Sequence, residues 1–180
     1  GSNDHVFVFF DDHGNTDIIA FPNDDLMTSK ELSDTVNTMS NKKMFSKLVL
    51  HISACLSGSM FYKVTLPINV YATTSAPVAA SAYAINYDSK RGTYLASGYP
   101  YGVNKFMDIS TSNLHTFQDQ FDWATEHLLN YSQPCQYGEV DWAGTETLTD
   151  FFSGAGQKMT GQRIAQWNDV VPEWDVPYEI

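Results

Sequence analysis

Cysteine is scarce: the 180 residues hold two, Cys55 and Cys135. Two thiols cannot build a disulfide framework, allow one bridge at most, and lack the CxxC or Cys/His spacing of a zinc site. Positive charge is thin as well, with 10 Lys plus Arg against 21 Asp plus Glu and a formal net charge of −11. A phosphate-binding surface needs a basic patch, so no nucleic-acid partner is expected. Long apolar runs are missing; the longest covers residues 6–10, against the ~18 that a membrane span needs. No signal-peptide pattern opens the chain, and a soluble mature protein is expected. A Gly1-Ser2 start without an initiator Met leaves open a processed form, an engineering scar or a fragment. What remains, 43% hydrophobic and 14% aromatic residues, fills the core of one domain or a large part of one.

Residues 5–10 (HVFVFF), 47–52 (KLVLHI) and 68–73 (INVYAT) are near-continuous apolar blocks, the pattern of strands buried on both faces of a parallel sheet. Between the first two, Thr28 and Glu31 have capping-box spacing, and Leu32, Val36 and Met39 recur along one helical face. Strand, helix, strand is a right-handed βαβ unit, which places both strand C-terminal ends on one sheet edge. In open α/β sheets that edge carries the site, so His13 and Cys55, each just past such an end, could meet there. Leu114, Phe117, Phe121, Ala124 and Leu128 predict a second helix, capped from residues 110–113. Residues 74–108 have no sustained period and predict loops with short strands walling a groove. A short helix is expected over 145–153, closed by Gly154, and the polar stretch beyond, with PEWDVP at 172–177, as an extended linker.

The strand ends supply Asp12-His13-Gly14 and Ala54-Cys55. A thiol peptidase needs little more: an imidazole beside a thiol stabilises the thiolate, and a glycine leaves a backbone N–H free for an oxyanion. The bland alternative is a packing histidine and a buried core cysteine; matched strand-end placement and the following glycine favour the chemistry.

The blocks DHVFVFF (4–10), DHG (12–14), FPNDDL (21–26), ACLSGSM (54–60), NVYATT (69–74) and YDSKRGTYL (87–95) resemble the legumains, or asparaginyl endopeptidases, in order and near-family spacing from residue 4 to about 138. The resemblance implies an α/β, caspase-like three-layer sandwich with a mostly parallel central sheet, its N-terminal strands missing from this chain. It implies His13 as general base and acid, Cys55 as nucleophile, and the N–H groups of Gly14 and Cys55 as oxyanion hole, with no cofactor or metal. Residues 1–154 would be the C-terminal part of the peptidase domain and 155–180 a linker toward an activation peptide and prodomain, with Asp175-Val176-Pro177 resembling that junction. Partners would be a peptide or protein substrate, a companion N-terminal segment and a prodomain; the setting would be lysosomal, vacuolar or secreted.

Departures from the family concern the pocket for the substrate side chain. Ser53 stands where legumains carry a pocket Glu, and Ser97 where they carry an Asp; Ser81 matches one of two substrate-wall serines and Ala82 does not match the other. Losing both carboxylates predicts weaker discrimination between Asn and Asp. Asp11 and Asp12 beside His13 could suggest a metal, but neighbours on an extended strand end point to opposite faces, so a solvated turn is expected. Ser57-Gly58-Ser59 lacks a nucleophile-elbow pattern and is expected to cap a helix after Cys55. Asn130-Tyr131-Ser132 is a glycosylation sequon, Cys135 a structural or free loop thiol, and Trp123, Trp142, Trp167 and Trp174 are packing residues.

The reading is thus a legumain-like cysteine endopeptidase cleaving after Asn or Asp, with altered specificity, through a thioester acyl-enzyme. Alternatives are a transamidase or peptide ligase of the same fold, and a non-catalytic homologue or fragment serving as a binding domain.

Overall fold

The computed structural model describes residues 1–110, 114–128, 130–152 and 178–179. Strands β1 (His5–Asp11), β5 (Lys47–Ser53) and β6 (Val70–Thr74) run parallel, and β9 (Cys135–Gly138) closes the sheet antiparallel, in the order β1-β5-β6-β9. The apolar blocks and their βαβ order therefore form as expected, within a mixed α/β fold whose central sheet is mostly parallel. β1 differs from the expectation of burial on both faces. It is an edge strand among the described residues, and Val8 and Phe9 stay more than a third exposed.

Alternation within the strands makes two cores. Val6, Phe10, Leu48, Leu50, Ile52, Val70 and Ala72 pack against α1 (Ser29–Asn41) through Val36, Leu32 and Met39. Phe7, Val49 and Tyr71 face the opposite layer with Phe106, Phe117, Trp142 and Leu148. Helix α1 starts where its sequence predicts: Thr28 accepts from the Glu31 N–H, and Glu31 returns the bond to the Thr28 N–H, satisfying two helix-end donors.

Residues 14–28, between the parallel strands, add a small antiparallel sheet, β2 (Gly14–Asn15), β3 (Ile18–Ala20) and β4 (Leu26–Thr28). The stretch expected as loops holds an antiparallel hairpin, β7 (Tyr83–Asp88) and β8 (Thr93–Ser97), and a twelve-residue helix α2 (Gly98–Ile109). Gly98, Pro100 and Gly102 hid that helix, because their propensities oppose it. Packing overrides them: Tyr99 and Val103 pack with Ala124 of α3 (Phe117–His127) and with Leu128 at its C-cap, and a side-chain carbon at Gly102 would overlap Leu128.

Helix α3 begins at Phe117, not at Leu114, which is 79% exposed. Thr116 caps it and Asp119 completes the box; of the expected caps, Thr111, Ser112 and Asn113 lie outside the described residues. Of the expected helix over 145–153, the described residues form only the four of α4 (Thr149–Phe152), and a separate 3-10 turn, Val140–Gly144, precedes it. Ser153, Gly154, Trp167, Trp174 and the Asp175-Val176-Pro177 junction lie outside the described residues, while β10 (Tyr178–Glu179) pairs antiparallel with β7. Trp123 and Trp142 pack in the second core, and Cys135 is a free thiol that starts β9 instead of lying in a loop.

Candidate active site

Parallel pairing sets the geometry of the sheet edge. Asp11 is the register partner of Ser53, and one further bond, from the Asp12 N–H to the Ser53 carbonyl at 3.2 Å, carries the ladder past the end of β1. His13 and Cys55 each lie two residues beyond that rung. Gly14 fits tightly between them. A side-chain carbon there would stand 2.7 Å from the Cys55 carbonyl oxygen and 2.8 Å from Ala54 Cβ, so only glycine allows this approach. The His13 carbonyl accepts from the Ala20 N–H at 2.9 Å. Across a trans peptide the next N–H points the opposite way, so the Gly14 N–H faces away from β3.

The Cys55 turn is strapped to the loop after β6. The Ala54 N–H donates to Ser75 Oγ at 3.1 Å, and the Leu56 and Gly58 N–H groups donate to the Ala80 and Ala76 carbonyls, each at 2.9 Å. Leu56 holds a left-handed conformation, φ 55°. Cys55 is 5% exposed, and its Sγ donates to the Ala82 carbonyl at 3.6 Å; among the described residues no hydrogen bond joins it to the His13 ring. His13 is exposed, and its N–H donates to Asp12 Oδ1 at 2.7 Å. The serines after Cys55 do not cap the following 3-10 helix as expected: Ser57 Oγ accepts from the Ala76 N–H, and Ser59 Oγ from the Asp17 N–H. Strapping the Cys55 turn to distant chain occupies both hydroxyls.

Asp11 is exposed, as expected, and is the last residue of β1. It projects on the same sheet face as Ser53, toward α2. Its Oδ2 accepts from Ser97 Oγ at 2.9 Å, and Ser97, at the N-cap of α2, makes no capping bond with that hydroxyl. Burial pushes the Asp11 carboxyl above its usual range, opposed by Ser97 and by Ser53, while the Asp12 charge adds to the rise. The Ser53 hydroxyl is fully buried and closes no hydrogen bond of ordinary geometry. An open cavity of about 340 Å³ is lined by His13 and Asp11 together with Ala84, Leu95 and Ser97. Ala82 is buried beneath Cys55 and Ser81 is half-buried beside it. Thus His13, Gly14, Cys55, Ser53, Ala82 and Ser97 gather at one edge. Asp11 joins them; the signal for it was the parallel register of residues 5–10 with 47–52, which sets position 11 beside 53.

Fold and site together define a class: mixed α/β proteins whose polar working groups stand just past the C-terminal ends of parallel strands. The chain belongs to the Peptidase C13 family, a family of cysteine endopeptidases, whose profile matches residues 1–169. It is 43% identical to human legumain over 183 aligned positions, covering 100% of this chain and 41% of that protein. It is 45% identical to the hemoglobinase of Schistosoma japonicum, covering 98% of this chain and 42% of that protein. Over 67% of this chain it is 33% identical to the vacuolar-processing enzyme delta-isozyme of Arabidopsis thaliana, of which it spans 28%. The chain spans about two fifths of the length of the first two relatives.

Proposed function

We propose that this chain carries the catalytic edge of a legumain-like cysteine endopeptidase that cleaves after Asn or Asp. The observation that supports it is the shared rung of Asp11 and Ser53, which sets His13 and Cys55 at matching positions, together with a glycine packed on the Cys55 carbonyl. In the reaction, the Cys55 thiolate attacks the scissile carbonyl, and the Gly14 and Cys55 N–H groups take the developing oxyanion. His13 gives its proton to the leaving amine, leaving a thioester. Water then attacks with His13 as base, the C–S bond breaks, and the acid product and free thiol are restored. Ser81, Ala82, Ser53 and Ser97 wall the substrate side, and the substrate is a peptide or protein. Residues 1–154 belong to the peptidase domain and 155–180 link it to a prodomain; a companion N-terminal segment supplies the remaining strands. The setting is lysosomal, vacuolar or secreted; among the described residues no helix is long and apolar enough to cross a membrane.

The test is alkylation of the full-length protein with iodoacetamide, read by peptide mass. Cys55 should react faster than Cys135, whose thiol burial pushes up in pKa, and labelling should abolish peptide hydrolysis. His13→Ala should cut kcat/KM by roughly 10²–10⁴ with the unfolding midpoint unchanged. Equal labelling of both thiols with full activity retained would refute the peptidase reading.

A further inference from the structure

We infer that Ser75 is a positioning residue of the reaction: its hydroxyl clasps the backbone of Ala54 and so sets the direction of the Cys55 N–H, one of the two oxyanion donors. The inference rests on the peptidase reading above and adds to it a residue that makes no substrate contact. β6 is the third parallel strand of the sheet, and Ser75 is the first residue past its C-terminal end. The Ser75 N–H donates to the Ile52 carbonyl at 3.1 Å, which carries the ladder between β5 and β6 one bond further. Parallel pairing thus brings three strand ends to one edge, with His13 past β1, Cys55 past β5 and Ser75 past β6. Ser75 is only 1% exposed and its hydroxyl is engaged on the backbone, so it is no second nucleophile.

One hydroxyl meets both backbone groups of Ala54. Ser75 Oγ accepts from the Ala54 N–H at 3.1 Å and donates to the Ala54 carbonyl at 3.3 Å. Ser57 Oγ lies 3.4 Å from Ser75 Oγ and is the donor of that pair, because the Ser75 proton goes to the carbonyl. The Ala54 carbonyl and the Cys55 N–H belong to one trans peptide and point in opposite directions. Holding the carbonyl toward Ser75 therefore holds the Cys55 N–H away from it, and among the described residues that N–H has no acceptor. The other donor on the carbonyl, the Ser57 N–H at 3.3 Å, belongs to the same turn and moves with it, whereas Ser75 ties the peptide to another strand. Ser75 is anchored on its far side as well: its carbonyl accepts from the Gln133 N–H at 3.0 Å and from the Ser132 hydroxyl. A donor fixed where charge develops needs no reorganisation during the reaction, and one that swings loses that advantage. The bond to the carbonyl also polarises the peptide, which strengthens its N–H as a donor.

The experiment compares the full-length wild type with Ser75→Ala, using one fluorogenic Asn peptide and iodoacetamide. Hydrolysis passes through a tetrahedral oxyanion on the substrate carbonyl. Alkylation does not: the Cys55 sulfur bonds to a saturated carbon and iodide leaves, so its rate reports the thiolate alone. Ser75→Ala should lower kcat per folded molecule ~10–100-fold with little change in KM, since the lost bond acts on a group that tightens only on the oxyanion. The rate of Cys55 alkylation and its pH profile should stay as in the wild type. Ser75→Thr, which keeps the hydroxyl, should recover most of kcat. Ser75→Gly also lacks the hydroxyl and carries the same expectation should Ser75→Ala not fold. A purely structural Ser75 would lower the unfolding midpoint and leave kcat per folded molecule unchanged, or slow alkylation and hydrolysis in parallel; either result overturns the inference, as does a folded Ser75→Thr no faster than Ser75→Ala. Selective labelling of Cys55 with peptide cleavage by the wild type would show that the peptidase reading stands regardless; a wild type that cleaves no peptide and labels both thiols alike overturns both.

Discussion

A single methyl group at Gly14 would strike backbone, not a side chain that could swing away. Its nearest neighbours would be the Cys55 carbonyl and Ala54 Cβ, both fixed by the strapped turn after β5. Overpacking against such neighbours costs about 1–3 kcal/mol, so Gly14→Ala should lower the unfolding free energy by that amount, seen as a lower denaturant midpoint at an unchanged slope. The same variant should lose peptide cleavage more than stability explains, because separating the two strand ends moves the Gly14 N–H from the place where an oxyanion would form. Wild-type stability in Gly14→Ala would show that β2 is free to move away from the Cys55 turn.

Among the elements, α2 and α3 depend on each other. The N-terminus of α2 is not closed by a side chain, since Ser97 gives its hydroxyl to Asp11, and its first two turns carry Pro100 and Gly102. Its place is held by burial of Tyr99, Val103 and Phe106 against α3 and the sheet. α3, in contrast, carries its own start signal: Thr116 Oγ accepts from the Asp119 N–H at 3.1 Å and Asp119 Oδ2 from the Thr116 N–H at 2.8 Å. Thr116→Ala should therefore cost about 1 kcal/mol in thermal or denaturant unfolding, while Thr116→Ser should cost little. Chiefly the bond from the Thr116 backbone N–H, which Thr116→Ala keeps, holds the Asp119 carboxyl below its usual range, so wild type and Thr116→Ala should both lose stability as acid protonates Asp119.

For the whole molecule, the buried His51 makes stability fall in acid. His51, wholly enclosed on the α2 side of β5, hydrogen-bonds to Thr73 at 2.6 Å and to Gln120 at 3.2 Å, with Phe7, Phe9, Tyr99 and Phe117 around its ring. Burial lowers its pKa to about 4 from 6.5; the Gln120 and Leu50 hydrogen bonds oppose this without cancelling it. The folded state thus holds the neutral ring while the unfolded chain takes up a proton below 6.5. The stability from His51 is complete above pH 6.5, falls as pH drops toward 4, and levels off below. The full loss is about 3 kcal/mol, and about 2 kcal/mol is gone at a lysosome-like acidity near pH 5. His51→Gln removes the titration, so its stability deficit relative to wild type at pH 7 should shrink by about 3 kcal/mol at pH 4, measured by urea unfolding at each pH. A constant deficit across that range would mean His51 is not the acid-sensitive group.

Sequence alone determined the features that depend on near neighbours or on period. Three apolar blocks became the parallel strands, the Thr28-to-Glu31 spacing became a closed capping box, and the family followed from motifs whose order and spacing no local rule explains. The βαβ argument also anticipated that His13 and Cys55 stand at one sheet edge, because handedness and parallel pairing leave the strand ends no other place. Tertiary structure decided what local propensity opposes or cannot express. Helix α2 exists because its apolar residues find Leu128 and Ala124, contacts distant in sequence that outweigh Gly98, Pro100 and Gly102. Leu114 matched the helical period yet stayed outside α3, since periodicity does not say where a helix starts. Asp11 looked like a turn residue beside His13; its contact with Ser97, 86 positions away, arises only when the N-terminus of α2 is brought over the end of β1.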